Sequence, residues 1–129
     1  MDNSYLCPFC RGQLKVADHI VFSAKSETGK RGILFLSPQL GDYHCVNNES
    51  FKLVEGEHLE ILCPICHSNL TAIDVNRNLA EVIMVDKNNE ESTIYFSEIV
   101  GEKCTYKIHD KDIESYGENS AQYMNFFGV

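Results

Sequence analysis

Four cysteines carry the strongest chemical signal in this chain. They stand in two short motifs, Cys7-Pro-Phe-Cys10 and Cys63-Pro-Ile-Cys66. A C-x-x-C turn can aim two sulfurs at one tetrahedral centre, and two such turns complete a four-thiolate shell. Proline after the first cysteine, Pro8 and Pro64 here, fixes φ and stiffens each turn. Backbone N–H groups of the turn can then hydrogen-bond to the thiolates and offset part of their charge. A single C-x-x-C is weak evidence, whereas two matching copies in one chain point to one shared metal. Zinc is the expected ion.

The rival chemistry is thiol–disulfide exchange, because Cys7-Pro-Phe-Cys10 looks like the active site of a glutaredoxin. That fold requires a strand before the motif and a helix opening at it. Only six residues precede Cys7, and those after Cys10 read as a strand with an early Gly12. Metal binding is the better reading. The two knuckles resemble those of the zinc-ribbon and rubredoxin-like group, in which two CPxC-type turns close on one metal. The resemblance implies Cys7, Cys10, Cys63 and Cys66 as ligands and says nothing of the protein's task, since ribbons of this kind serve many processes. Two departures stand out. The 52 residues between Cys10 and Cys63 demand a β insertion between the knuckles. Rubredoxins have glycine directly after the knuckle cysteine, where this chain has Arg11 and His67. Iron and electron transfer are therefore expected less than structural zinc.

The elements that position the knuckles read as an internal repeat. Tyr5–Leu14 aligns with Ile61–Leu70 at an offset of 56 residues, and Phe35–Asp42 aligns with Tyr95–Glu102 at an offset of 60. Each second match is soon followed by a cysteine, Cys45 or Cys104. The expected organisation is one compact domain over 1–129, with β repeats at 5–54 and 59–109 and a tail at 110–129. Within it, Ile20, Phe22 and Ala24 alternate with Val21, Ser23 and Lys25, which predicts a strand. A turn at Ser26–Lys30 leads to Ile33–Leu36; Leu79–Val85 leads through Asp86–Glu90 to Thr93–Phe96. Tyr43–Val46, Phe51–Val54, Leu59–Leu62 and Lys103–Ile108 are further predicted strands, so the fold class is mostly β, as internally duplicated zinc-ribbon-like units. In the tail, Asp112-Ile-Glu-Ser could open a helical turn, and Ser120–Phe127 reads as a short helix packed on the sheets, with an exposed aromatic docking segment as the other reading.

Composition narrows the function classes. Hydrophobic residues form 43% of the 129-residue chain, enough to exclude wholesale disorder. The start MDNSYLCPFC has neither a basic n-region nor an apolar h-region, and the apolar runs are too short to cross a bilayer. A cytoplasmic protein with reduced cysteines and no membrane association is expected. The formal charge is 11 − 19 = −8, and zinc on four thiolates adds +2 − 4 = −2. A charge near −10 sets electrostatics against phosphate backbones.

The remaining candidates are weaker. Cys45 and Cys104 could each join a second site with His44 or His109, but a small buried apolar role is the simpler expectation for both. His67 is expected to face solvent, and His19 and His58 carry no functional claim. Four thiolates leave no open coordination position, and no P-loop, nucleophile elbow or paired carboxylates stand at catalytic spacing. The expectation is a non-catalytic protein-interaction or regulatory module that binds a protein partner. One alternative is a nucleic-acid-associated zinc ribbon, for which Lys25, Lys30 and Arg31 form the only cationic cluster. The other is a rubredoxin-like electron-transfer or thiol redox protein.

Overall fold

The strands follow from two-residue alternation. In His19–Lys25 the even positions Ile20, Phe22 and Ala24 are buried while the odd positions stay partly exposed, as a half-buried strand requires. Leu79–Val85 does the same with Ala80, Val82 and Met84, except that Leu79 is buried as well. Each continues into a partner through a turn of identical geometry. The Ser26 N–H donates to the Lys30 carbonyl and Gly29 has φ +87; the Asp86 N–H donates to the Glu90 carbonyl and Asn89 has φ +62. Ser26 Oγ and Asp86 Oδ1 accept from the N–H of Lys30 and Glu90, at 3.1 and 3.0 Å. A left-handed residue closing a short loop gives the strands the twist they need.

The computed structural model describes residues 3–127, apart from the side chains of Asn125 and Phe126. The strands are β1 (Ser4–Leu6), β2 (Lys15–Val16), β3 (His19–Lys25), β4 (Arg31–Leu36), β5 (Cys45–Asn47), β6 (Glu60–Leu62), β7 (Leu79–Val85), β8 (Glu91–Ser97), β9 (Thr105–His109) and β10 (Asp112–Tyr116). A 3-10 helix, Ser120–Phe127, follows. The fold is mostly β, in two antiparallel sheets. Sheet one runs β1-β7-β8-β9-β10; sheet two runs β2-β3-β4-β5, with β6 also paired to β3.

The knuckle strands are exchanged. β1 leads into the first knuckle but pairs with β7, and β6 leads into the second knuckle but pairs with β3. The registers correspond: Tyr5 lies opposite Met84, and Ile61 opposite Ala24. The hairpins also correspond, Ile20 opposite Leu36 and Ala80 opposite Phe96. The four-residue difference between the offsets lies in the link after each knuckle. Lys15 pairs with Ile20, whereas Thr71 bridges to Ala80 around a longer turn.

The core lies between the inner faces, where Phe22 and Phe96 meet at a ring separation of 5.3 Å. Tyr5, Leu14, Leu34, Ile61, Val82 and Ile94 surround them, and the cluster reaches Cys7 and Cys63. Each large side chain fully buried there stabilises the fold by about 1.5–3 kcal/mol. The packing of the core therefore runs without a break into the knuckles.

Two expectations are corrected. Phe51–Val54 is not a strand. Phe51 is buried because its ring lies flat on Gly32, where a Cβ would come within 2.3 Å of it. The segment is a turn, held by the Phe51 N–H on the Asn48 carbonyl and by Asn47 Nδ2 on the Phe51 carbonyl. Asp112-Ile-Glu-Ser does not open a helix. It forms β10, turned back on β9 at Asp110 (φ +53), with Ile113 opposite Ile108. Cross-strand packing of that half-buried isoleucine pair outweighs the local preference. Gly117, at φ +98, then stops the strand, and a Cβ there would meet the Lys103 carbonyl oxygen at 2.1 Å. The helical reading of Ser120–Phe127 agrees with the structure: Tyr123 is buried and Phe127 packs on Tyr95 and Tyr106. The exposed docking reading of this segment does not.

Candidate metal centre

β1 delivers Cys7 and β6 delivers Cys63, one residue beyond each strand end. In both knuckles the backbone then doubles back, with the Arg11 N–H on the Cys7 carbonyl and the His67 N–H on the Cys63 carbonyl, each at 2.9 Å. Arg11 and His67 have φ +59 and +66. Both positions hold a left-handed backbone without glycine, at about 1 kcal/mol each.

The turns bring the sulfurs together. The Sγ atoms of Cys7, Cys10, Cys63 and Cys66 all lie within 4.8 Å of one another. Across the knuckles, Cys7 to Cys66 and Cys10 to Cys63 are both 3.8 Å. A tetrahedral ion with metal–sulfur bonds of about 2.3 Å separates its ligands by about 3.8 Å. A disulfide requires about 2.05 Å, and all six cysteines are free. The four cysteines could hold a metal, and they form the one such group among the described residues.

Backbone N–H groups point at the sulfurs in matching pairs. Phe9 and Cys10 donate to Cys7 Sγ at 3.3 and 3.5 Å; Ile65 and Cys66 donate to Cys63 Sγ at 3.3 and 3.4 Å. Gly12 donates to Cys10 Sγ at 3.4 Å, and Ser68 donates to Cys66 through both its N–H and its hydroxyl. These donors stabilise thiolate. Burial nonetheless holds the Cys7 thiol up at about 12 and raises Cys63, while Ser68 pulls the more exposed Cys66 down to about 6. A metal bound here would displace protons, most of all from the two buried sulfurs. Gly12 also makes room for the second knuckle, since a Cβ there would lie 2.6 Å from Ile65 Cδ1. At the knuckle tips, Phe9 and Ile65 are exposed.

Cys45 and Cys104 do not join this cluster, and they do not correspond to one another. Ladder register aligns Leu36–Cys45 with Phe96–Thr105, so the counterpart of Cys104 is His44. A one-residue slip places the two cysteines on opposite faces of their strands. Cys104 is fully buried beside Tyr106 and Tyr123, where burial raises its thiol to about 11. Cys45 is half-buried against the main core. His44 and His67 are exposed, as expected for His67. His109 Nδ1 lies 3.0 Å from the Glu91 carbonyl, far along β9 from Cys104.

One polar cluster went unread in the sequence. Glu98 is buried, and its carboxylate meets His58 Nε2 at 2.7 Å, Thr71 Oγ1 at 2.8 Å and the Ile61 N–H at 3.2 Å. Burial raises its pKa despite these partners. The three contacts tie β6 and the second knuckle's return to the end of β8. Glu98 looked like one more solvated acid, and only the long-range pairing of His58 with Ile99 reveals its place. Between the sheets, an apolar cavity of about 190 Å³ is lined by Tyr5, Phe22, Leu36 and Phe96. It falls short of the roughly 300 Å³ at which small-molecule sites begin. No helix among the described residues is long and apolar enough to cross a membrane. Comparison with protein-family models, with characterised proteins and with solved structures finds no match for this chain.

Proposed function

We propose that the chain is a zinc-binding, non-catalytic interaction or regulatory module with one structural zinc on Cys7, Cys10, Cys63 and Cys66. The observation that carries this reading is the clustering of four sulfurs, all within 4.8 Å of one another and 3.8 Å apart for Cys7–Cys66 and Cys10–Cys63, drawn from two knuckles far apart in the chain. Four thiolates and no carboxylate or imidazole favour zinc among the common divalent ions. A closed shell leaves no position for an activated water, which supports a structural role over catalysis. We read the matching registers at offsets of 56 and 60 residues as an internal duplication within one domain. A reducing, cytoplasmic setting suits free thiols at this site, and the proposed partner is a protein.

A nucleic-acid role has less support. Lys25 and Arg31 lie side by side across the β3–β4 ladder, but Glu60 stands opposite Lys25 on the other edge. Nonspecific duplex binding commonly draws on about 6–10 phosphate contacts, far more than this edge offers. Elemental analysis of protein purified without added metal should find one zinc per chain and negligible iron. Cobalt substitution should give a tetrahedral tetrathiolate spectrum. Two zinc ions per chain, or a red iron-bearing protein, would overturn the proposal. Salt-sensitive submicromolar binding in a gel shift would replace it with the nucleic-acid reading.

A further inference from the structure

The outer faces of the two sheets are built on the same frame and finished differently. On sheet one, Leu79, Cys104 and Tyr106 are buried with Tyr123 beneath the 3-10 helix. The Phe127 ring lies 5.1 Å from Tyr95 and 4.8 Å from Tyr106. The Tyr106 hydroxyl donates to the Ser120 carbonyl, and Tyr123 donates to Glu102 at 2.8 Å. The register makes Phe35 and Val46 the counterparts of Tyr95 and Tyr106. Among the described residues no helix overlies them: the His19 ring packs edge-on against Phe35 at 5.8 Å, and Phe35 stays 36% exposed, Val46 43% and the neighbouring Ile33 40%. Val21, Phe35 and Val46 form one continuous row across β3, β4 and β5.

Charge differs at the same place. Arg31 and Lys25 share the outer face with this row and lie opposite one another at its rim, beside Glu60. Their counterparts on sheet one are Glu91 and Val85. An apolar row with a locally cationic rim therefore sits on a chain of formal charge −8.

We propose that the outer face of sheet two docks a short aromatic segment of an acidic partner protein, seated as Ser120–Phe127 is seated on sheet one. The proposal rests on the interaction-module reading and specifies its surface. Charge complementarity selects the occupant: aromatic side chains match the apolar row, and acidic flanks match Lys25 and Arg31. A second copy fits less well. Pairing about a twofold axis would bring two cationic rims and two acidic chains together.

The test uses the full zinc-loaded chain and a fluorescent synthetic peptide, two glutamates followed by the sequence of residues 118–127. Anisotropy should show saturable micromolar binding that weakens with salt, and amide shifts should move at Ile33, Phe35 and Val46. Phe35→Ser should weaken binding at least tenfold, and the double change Lys25→Glu with Arg31→Glu at least threefold. Both variants should keep the parental melting temperature within a few degrees. If Phe35→Ser unfolds the chain, Val46→Lys serves the same purpose from β5. Absence of saturable binding, unchanged affinity in these variants, or shifts confined to Tyr95 and Tyr106 would overturn the proposal. So would a dimer in sedimentation that Phe35→Ser dissolves, which would make a second copy the occupant. Metal content is read separately, so a zinc-free chain that still binds the peptide removes the zinc reading and leaves the surface standing.

Discussion

Pro38 in the first half and Glu98 in the second hold the same place at the end of the second hairpin strand, and they show where the halves differ. Around them the frame is shared, down to Ser26 and Asp86 accepting the same turn hydrogen bond. The Pro38 carbonyl accepts from the Tyr5 hydroxyl at 2.5 Å, so position 38 anchors β1 through its backbone alone. Glu98 instead places a buried carboxylate among His58, Thr71 and the Ile61 amide. The second half also adds β10 at its edge and the tail helix, and the helix seals its outer face. Shared features sit where the backbone must turn or pair. The differences sit on surfaces that a partner, or the chain itself, can cover.

Substitution at the metal centre should have the largest effect and should treat the halves alike. Cys7→Ser and Cys63→Ser should both abolish stoichiometric zinc and lose most of a contribution on the order of 10 kcal/mol. Cys104→Ser, in the second half's outer cluster, should cost roughly 1–2 kcal/mol. Calorimetry of the three variants beside metal analysis checks this. Equal melting shifts for Cys63→Ser and Cys104→Ser would mean that the centre is no stability element.

The outer faces should separate the halves next. Tyr106→Ala removes a fully buried ring and should cost about 3–5 kcal/mol by urea denaturation. Its counterpart Val46→Ala, on the open face, should stay within about 0.5 kcal/mol of the parent. Comparable losses would show that sheet two is covered in solution.

Glu98 makes a pH-dependent contrast. Burial raises its pKa in the folded chain, so the folded state holds this proton more tightly than the unfolded state does. That contribution is fully present below the unfolded glutamate value of about 4.3 and is lost as pH rises through the folded value. Glu98→Gln should therefore flatten the stability profile above about pH 4, relative to the parent, in urea titrations at successive pH. A parallel profile in the variant would show that the carboxylate is solvated.

Arg11→Ala should have the smallest effect. Arg11 reaches from the first knuckle to Glu91 at 2.6 Å, with both side chains about half exposed. The positions at the matching offsets, His67 and Arg31, cannot form an ion pair. An exposed pair contributes about 0.2–1 kcal/mol, and added salt should erase the difference from the parent.

Much of the frame was legible because its signals are local. The alternation in Ile20–Lys25, the hairpin pattern from Leu79–Val85 to Thr93–Phe96 and the proline-bearing knuckles lie in short windows, and they located the strands and the cysteine cluster. Strand exchange was not legible, because nothing in Tyr5 or Ile61 states whether its own hairpin or the other one supplies the neighbour. Pairing choice is decided by packing across 79 residues in the case of Tyr5 and Met84. The match of Cys45 to Cys104 failed for a related reason. An alignment by residue type tolerates a slip of one, whereas a strand does not. Ile113 was misread because its partner Ile108 lies across a turn that Asp110 makes with an unusual φ.

The exchange of β1 and β6 also orders events in time. During synthesis β1 can meet the return of its own knuckle, where Leu6 bridges to Gln13, but it lacks β7 until that strand has emerged, and the first hairpin lacks its full edge until β6 arrives. Long-range pairings of this kind form late and slowly. The first fifty residues therefore leave the ribosome as an unfinished sheet, and the chain closes only when each half has lent its opening strand to the other. A cut between the halves would leave two fragments, each lacking the strand that completes it, that regain the fold only together.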